Sequence, residues 1–382
     1  MRASGLAPKI KERALELGFS AVGITSAERL VETEQVTLER VRAGLMGGLP
    51  WFTEERARLS CRPQELLPNA RSIVALAVSY LSDEGPINSN LGPAGTVARY
   101  ARGDDYHDAL KSRLKDLSDF ISKECGATVS SRLFIDSSPL SERAAAKRAG
   151  VGWFGKNTNL IVPGIGSWAF LSALILDIEI EADHPLVKSC GTCDLCIRAC
   201  PTGALVDQYT LDNTKCISYQ TIENRGEIPE ELRPDMGKLV FGCDICQEVC
   251  PANRKALPSA WEEFKPRPGL GDSTPLVPLL QIDNAEYQQR FRGSPMKRAK
   301  RRGLQRNASV ALGNSGDPDA VSALSVSLEQ SDEPLVRSHV AWAMGRIDGR
   351  KARQALEKAR SNDTDINVLE SVRKALECMP TG

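Results

Sequence analysis

The sequence predicts an α+β protein in three parts, and three observations carry that prediction. Apolar strand-like runs alternate with amphipathic helices up to about residue 183. Eight of the eleven cysteines crowd between Cys190 and Cys250, and from about Lys297 the chain is helical and repeats itself. The expected division is an α+β domain at 1–183, a cysteine-rich domain at 184–258, a connector at 259–296 and helical repeats at 297–382. A chain of 382 residues, 41% of them hydrophobic, can fill such cores. Lys+Arg and Asp+Glu both number 49, so no global field draws the protein to nucleic acid or lipid, and any such attraction must be local. No stretch approaches the roughly 18 consecutive apolar residues of a membrane helix, and MRASGLAPKIKERALELGF lacks the apolar core of a secretory signal. The expected compartment is the cytoplasm, where clustered cysteines point to metal before disulfides.

Leu6, Ile10, Ala14, Leu15 and Leu17 mark a helix that Gly18 stops, followed by a short strand from Ser20 to Ile24. SIVALAVSY (Ser72 to Tyr80) is a continuous apolar run suited to a strand buried on both faces. A helix from about Tyr106 to Cys125 follows, then the strand SSRLFID, the helix SERAAAKRAG and the apolar segment WAFLSALILDIEI. Between His184 and Pro258 apolar periodicity fades, as in a small domain held by metal. Five prolines between residues 256 and 288 (Pro258, Pro266, Pro268, Pro275, Pro278) leave that stretch little room for regular helix.

An offset of 32 residues aligns the last part with itself. It pairs Ala311 with Ala343, Leu312 with Met344 and Gly313 with Gly345, and then Val340 with Val372 and Ala343 with Ala375. A period near 30 with two amphipathic helices per unit is that of a HEAT-type solenoid, here about two and a half units. So few repeats cannot bury their own faces and should pack on other parts of the chain.

Cys190, Cys193, Cys196 and Cys200 with Pro201 give C-x2-C-x2-C-x3-C-P, the run of two-cluster ferredoxins. Three thiolates converge on one cubane, and the fourth is expected to point away because a helix begins after it. Cys216 stands alone, and Cys243, Cys246 and Cys250 with Pro251 repeat C-x2-C-x3-C-P. The crossed rule gives one 4Fe-4S cluster Cys190, Cys193, Cys196 and Cys250, and the other Cys200, Cys216, Cys243 and Cys246. Zinc sites prefer C-x2-C pairs 12 to 20 residues apart, which this spacing does not give. ISYQTIENRGEIPEELRPDMGKLVFG is an insertion within the ferredoxin unit, and something should touch it.

No G-x-G-x-x-G follows a strand and no P-loop occurs, and three histidines (His107, His184, His339) exclude a His-rich metal site. YARGDDYH, FIDSSP, ERAAAKRAGVGWFGKNTNLI, GSW, the first cysteine run and CISYQTIE occur in that order. With these motifs the chain resembles the epoxyqueuosine reductases, cobalamin-dependent iron-sulfur enzymes of the last step of tRNA queuosine synthesis, related to reductive dehalogenases. The resemblance covers nearly the whole length. It implies a nitroreductase-like fold for the first domain, holding cobalamin base-off and fed electrons by the clusters. It also implies reduction of the epoxide at the wobble position of an anticodon by cob(I)alamin, an external one-electron donor protein, and a monomer.

Residue by residue, Asp136 ends an apolar strand and by itself reads as a turn or N-cap aspartate more readily than as a functional carboxylate. The resemblance makes it the proton donor of D-S-x-P and a cobalamin contact, with a pKa raised by burial beside the corrin. The glycine-rich GVGWFGKNTNL brings Lys156, Asn157 and Asn159, which the resemblance places around the corrin's amide arms. Arg58, Tyr100, Arg102 and His107 are further cobalamin candidates, and Ser218, Tyr219 and Gln220 follow a cluster ligand and could face the corrin.

Arg290, Arg292, Lys297, Arg298, Lys300, Arg301, Arg302 and Arg306 form a basic stretch, with no acid from Tyr287 through Gly316. Such concentrated charge reads as a tRNA phosphate footprint, against the plain alternative of a solvated helix face. Two other functions fit parts of the pattern: a reductive dehalogenase-like enzyme acting on a small molecule, and a two-cluster electron carrier without cobalamin.

Overall fold

The run Ser72–Ser79 is a strand in which all eight residues are buried. Its continuous apolar side chains have neighbours on both faces, each buried Ile, Val or Leu worth roughly 1.5–3 kcal/mol. It pairs antiparallel with Ala21–Ser26 on one side and Ala169–Leu176 on the other, and Ser131–Phe134 completes the four-stranded sheet. The computed structural model describes residues 5–82, 92–137 and 139–380, so Ser138 and the chain ends fall outside it.

The chain forms two units drawn from discontinuous stretches. The first takes Met1–Asp83, Gly103–Thr214 and Ile245–Lys265, the second Glu84–Arg102, Lys215–Asp244 and Pro266–Gly382. Residues 184–258 thus contribute to both.

In the first unit the helix Leu6–Glu16 buries Leu6, Ala7, Ile10 and Ala14, one face at helical spacing. The helix Tyr106–Cys125 starts at Asp105, whose side chain accepts from the His107 main-chain N–H, and ends at Gly126 in the left-handed conformation. It buries Tyr106, Leu110, Leu114, Leu117 and Ile121. A short hairpin pairs Trp153–Phe154 with Leu160–Ile161.

In the second unit Ala94–Val97 pairs with Leu239–Phe241 and Thr274–Pro275. Five repeat helices follow: Lys300–Ser315, Ala320–Gln330, Pro334–Ile347, Arg350–Asn362 and Ile366–Cys378. Ala311, Leu312, Val340, Ala343, Met344, Val372 and Ala375, the positions paired by the 32-residue offset, all lie in one core. A Cβ on Gly313 would stand 2.8 Å from the Cα of Ala343, and one on Gly345 3.0 Å from the Cα of Ala375. The sequence repeat is therefore one helix-crossing contact made twice, 32 residues apart. Among the described residues no helix is long and apolar enough to cross a membrane.

Candidate functional site

Cys190, Cys193, Cys196 and Cys250 line one small cavity in the first unit, with Gly155, Lys156, Asn157 and Ile161. Two short segments position them: the helix Leu195–Ala199, which carries Cys196, and the single turn Pro251–Asn253 after Cys250. Burial pushes the Cys196 and Cys250 thiols up, and neighbouring thiols add to it, Cys190 and Cys250 beside Cys196, Cys190 and Cys193 beside Cys250. Four thiols gathered on one cavity suit a multi-iron cluster, whose positive irons would hold them as thiolates. Cys200 is the C-terminal cap of the helix Leu195–Ala199, in extended conformation. The helix thus ends at Cys200, where the sequence reading has one beginning after it. All eleven cysteines are free of disulfides.

The hairpin turn expected to line a cobalamin pocket faces this cavity instead. Lys156 is 4% exposed and donates from Nζ to the Gly191 carbonyl at 2.8 Å. Asn157, 5% exposed, donates to the Cys246 carbonyl at 3.3 Å, and its Oδ1 accepts from the Asn159 N–H. Both support the cysteine-bearing turns, over which the two-stranded hairpin closes, and each leaves no more than 5% of its surface for the cobalamin contact expected of it. Asn159 is half-buried.

Two more candidates are corrected. Arg102 is 1% exposed, donating to the Val97 carbonyl and to Asp272, and Gln220 is 2% exposed with its Oε1 accepting from Asn224. Neither has surface left for a ligand. Arg58 is half-buried and paired with Glu54, while Tyr100, Ser218 and Tyr219, all in the second unit, are half-buried.

Asp136 lies two residues beyond the strand Ser131–Phe134 with φ of 44°, a left-handed backbone that a non-glycine residue adopts at a cost. Its carboxylate accepts from the Tyr106 hydroxyl at 2.5 Å, and the His107 Nε2 stands 4.0 Å from the same oxygen. The side chain is 68% exposed, so the chain alone does not provide the burial expected to hold its proton. His107 is held from behind: Asp105 accepts from its main-chain N–H at 3.0 Å and pairs with its Nδ1 at 2.8 Å. Burial pulls the imidazole pKa down, but the Asp105 hydrogen bond and the charges of Asp105, Asp136 and Asp108 outweigh it and leave it above its ordinary value. Tyr106 and Asp105 escaped the sequence reading, although both sit in YARGDDYH beside the residue it chose.

In the second unit Cys216 heads the helix Ile217–Ile222, and Cys243 follows the strand Leu239–Phe241. The Thr221 hydroxyl accepts from the Gly242 N–H at 2.9 Å and so ties the two segments. The insertion between them is clamped by the repeat helices. Arg306 donates to the carbonyls of Gln220, Asn224 and Gly226, Asn307 to those of Thr221 and Val240, and Asn314 to those of Arg233 and Gly237. His339 accepts the Ile228 N–H at Nε2.

Arg306, 1% exposed, is therefore corrected from a tRNA contact to the centre of this clamp. Space also returns the acids missing from the basic stretch. Glu223 takes Arg298 at 2.7 and 3.1 Å, Asp332 takes Arg301 at 3.0 Å, and Glu333 lies 3.9 Å from Arg302. Arg290 has Glu286 at 4.0 Å. Among the described residues no carboxylate pairs with Arg292, Lys297 or Lys300.

These features agree with what the chain is similar to. Family models match at residues 61–137 (Epoxyqueuosine reductase QueG), 189–253 (4Fe-4S double cluster binding domain) and 296–377 (HEAT repeats). The epoxyqueuosine reductase of Escherichia coli strain K12 is 39% identical over 351 residues, 91% of each chain. The chain belongs to the epoxyqueuosine reductase family. The Xanthomonas campestris epoxyqueuosine reductase is 40% identical over 344 residues, 89% of this chain and 96% of that one. Solved epoxyqueuosine reductase structures superpose with a TM-score of 0.91 at 32% identity over 98% of this chain. One of these, covered to 98%, holds an epoxyqueuosine-modified tRNA-Tyr stem loop. Another, from Bacillus subtilis and covered to 99%, has an aspartate-bearing catalytic loop swung out of the active site. The mixed fold, the double-cluster domain and the HEAT repeats expected for an epoxyqueuosine reductase are thus present.

Proposed function

We propose that the chain reduces the epoxide of epoxyqueuosine at the wobble position of a tRNA anticodon, giving queuosine and water. The observation that carries this reading is Asp136, presented at an open strand end and held by Tyr106 within reach of His107. A carboxyl group so placed can protonate the oxygen that leaves carbon. Electrons come from an external one-electron donor protein through two 4Fe-4S clusters, the first held by Cys190, Cys193, Cys196 and Cys250. Cys200, Cys216, Cys243 and Cys246 are assigned to the second by the crossed spacing rule.

Cobalamin, bound base-off, would supply a low-potential electron source at the epoxide. Arg58, Tyr100, His107, Asn159, Ser218 and Tyr219 keep surface that could meet it; Arg102, Lys156, Asn157 and Gln220 do not. The buried ammonium of Lys156 sits at the wall of the thiol cavity, where a positive charge offsets the net negative charge of a thiolate-bound cluster. The protein acts as a cytoplasmic monomer, with Arg292, Lys297, Lys300 and Arg302 offering phosphate contacts.

Anaerobic reconstitution with cobalamin, a reductant and epoxyqueuosine-tRNA tests the reading. Asp136→Asn should keep cobalamin and iron while product formation falls by roughly two to four orders of magnitude. Activity of that variant near the wild-type level would refute the assignment.

A further inference from the structure

We propose that His107 stores the proton that Asp136 delivers, with Asp105 fixing the imidazole so that only Nε2 can exchange it. The inference rests on Asp136 being the acid. Three observations support it. Asp105 Oδ1 meets the His107 ring at Nδ1, 2.8 Å away, and also takes the His107 main-chain N–H, so the ring cannot turn over. A carboxylate accepts only, which places a hydrogen on Nδ1 and leaves Nε2 as the free end. Nε2 is buried and has no hydrogen-bond partner among the described residues, and it stands 4.0 Å from Asp136 Oδ2.

A neutral imidazole with its hydrogen on Nδ1 would turn a lone pair towards an ionised carboxylate, two acceptors facing each other in a site shielded on one side. One proton between Nε2 and Oδ2 removes the conflict, whichever atom carries it. The groups facing this pair are Asp105 from behind, Asp108 one position beyond His107, Arg143, whose charge acts on Asp136, and Tyr106, whose ring stacks on the imidazole at 4.2 Å and whose hydroxyl already donates to Asp136 Oδ2. At His107, by contrast, the charges of Asp105, Asp136 and Asp108 favour keeping the proton. The 4.0 Å gap is longer than a hydrogen bond, as is common before substrate closes a site. Asp136 sits on a backbone in the left-handed region.

The balance is simple. Asp136, 68% exposed, takes one proton from water and shares it with His107 Nε2. When substrate covers the carboxylate, that one proton passes from Nε2 to Oδ2 and from Asp136 on to the leaving oxygen. Neutral His107, hydrogen still on Nδ1, and ionised Asp136 remain, and a proton from water reloads the pair, which then supplies the second of the two protons needed to release the epoxide oxygen as water. The two electrons arrive from the external donor, and the pair takes no part in the redox change.

Single-turnover rates of the reconstituted enzyme with saturating epoxyqueuosine-tRNA, from pH 5.5 to 9, provide the test. His107→Gln keeps a donor facing Asp136 but cannot titrate. It should fall about ten- to a hundredfold at pH 7.5 and recover towards the wild-type rate near pH 5.5, with unchanged iron content and tRNA affinity and with rates taken per bound cobalamin. Asp105→Asn, which still caps the helix, should show the same acid displacement to a smaller degree. A His107→Gln profile parallel to wild type, whether at full rate or uniformly lowered, overturns the proposal, because a positioning role alone would be rescued by Gln or lost at every pH. Asp136→Asn measured alongside separates the two readings: if it stays active, the acid assignment itself has failed.

Discussion

Gly313→Ala should destabilise the second unit, although alanine is the better helix former. The new Cβ would stand 2.8 Å from the Ala343 Cα, 2.9 Å from its Cβ and 2.9 Å from the Trp342 ring. Carbon atoms rest at about 3.5–4.0 Å, so the first and third repeat helices must part by roughly 0.7 Å. Such overpacking costs about 1–3 kcal/mol, against a helix-propensity gain of up to about 1 kcal/mol. Gly303 lies on the same helix and provides the control, because its Cβ would meet nothing nearer than the Ala299 Cβ at 3.6 Å. Gly303→Ala should therefore stabilise by up to about 1 kcal/mol. Taken together the two variants should differ by about 2 kcal/mol, or roughly 4–8 °C in melting temperature. Gly345→Ala, whose Cβ would reach the Ala375 Cβ at 2.9 Å, should follow Gly313→Ala. Circular-dichroism melts decide the matter: equal shifts for Gly303→Ala and Gly313→Ala would show that the crossing is looser than its geometry and refute the argument.

Cys250→Ala should lower iron from about eight atoms per chain to about four, even though Cys250 lies far along the sequence from Cys190, Cys193 and Cys196; iron analysis retaining eight would break the ligand assignment. Changing Arg292, Lys297 and Lys300 together to Ala should raise the apparent KM for tRNA and reduce the salt slope of binding by about 2, with cobalamin content unchanged, as filter binding at several salt concentrations can show. His339 is wholly buried, and burial, reinforced by Arg233 and Arg306, holds its pKa well below 6.5. A base with a lowered folded pKa stabilises fully above its unfolded value, so stability should fall as pH drops below about 6.5, by up to about 1.4 kcal/mol per pH unit. His339→Leu should flatten that slope in urea midpoints taken at pH 7.5 and 5.5, while costing about 1–3 kcal/mol at both through the orphaned Ile228 N–H.

Periodicity made much of this architecture legible. The helix Tyr106–Cys125 falls where its apolar spacing places it, and Ser72–Ser79 is buried on both faces as a continuous apolar run requires. The 32-residue offset found both the repeat helices and their crossing points, since a glycine recurring at one register marks the place where two helices approach most closely. Residue type was a poorer guide to what a polar side chain does. Arg306 reads as one of eight cations in an acid-free stretch, yet it satisfies three carbonyls of the insertion, a need created by the tertiary packing and invisible along the chain. Glu223, Asp332 and Glu333 likewise meet the basic stretch only in space. Lys156 and Asn157 sit in a motif whose resemblance suggested a corrin, but the hairpin closing at residues 155–159 turns them to the cysteine turns.

The motifs that occur together in this sequence also pack together. Gln247, between Cys246 and Cys250, accepts from the Tyr80 hydroxyl at 3.3 Å and from Ser167 of the GSW motif at 2.9 Å. Asn253, just past Cys250, accepts the Ser167 N–H at 2.7 Å. Gly166 has φ of 62° and leaves room for that side chain, whose oxygen would lie 1.9 Å from a Cβ there, so no other residue fits. Tyr80 in turn packs on Phe170 at 4.7 Å, Phe170 stacks on Tyr106 at 4.2 Å, and Tyr106 donates to Asp136. Every link lies in the first unit. The turn that carries two cluster cysteines and the loop that carries the acid are thus built against one wall of aromatic rings. A change at Ser167 or Tyr80, remote in sequence from both, should therefore displace the cysteine turn and loosen the hold on Asp136 together, because close-packed rings transmit a shift that they cannot absorb.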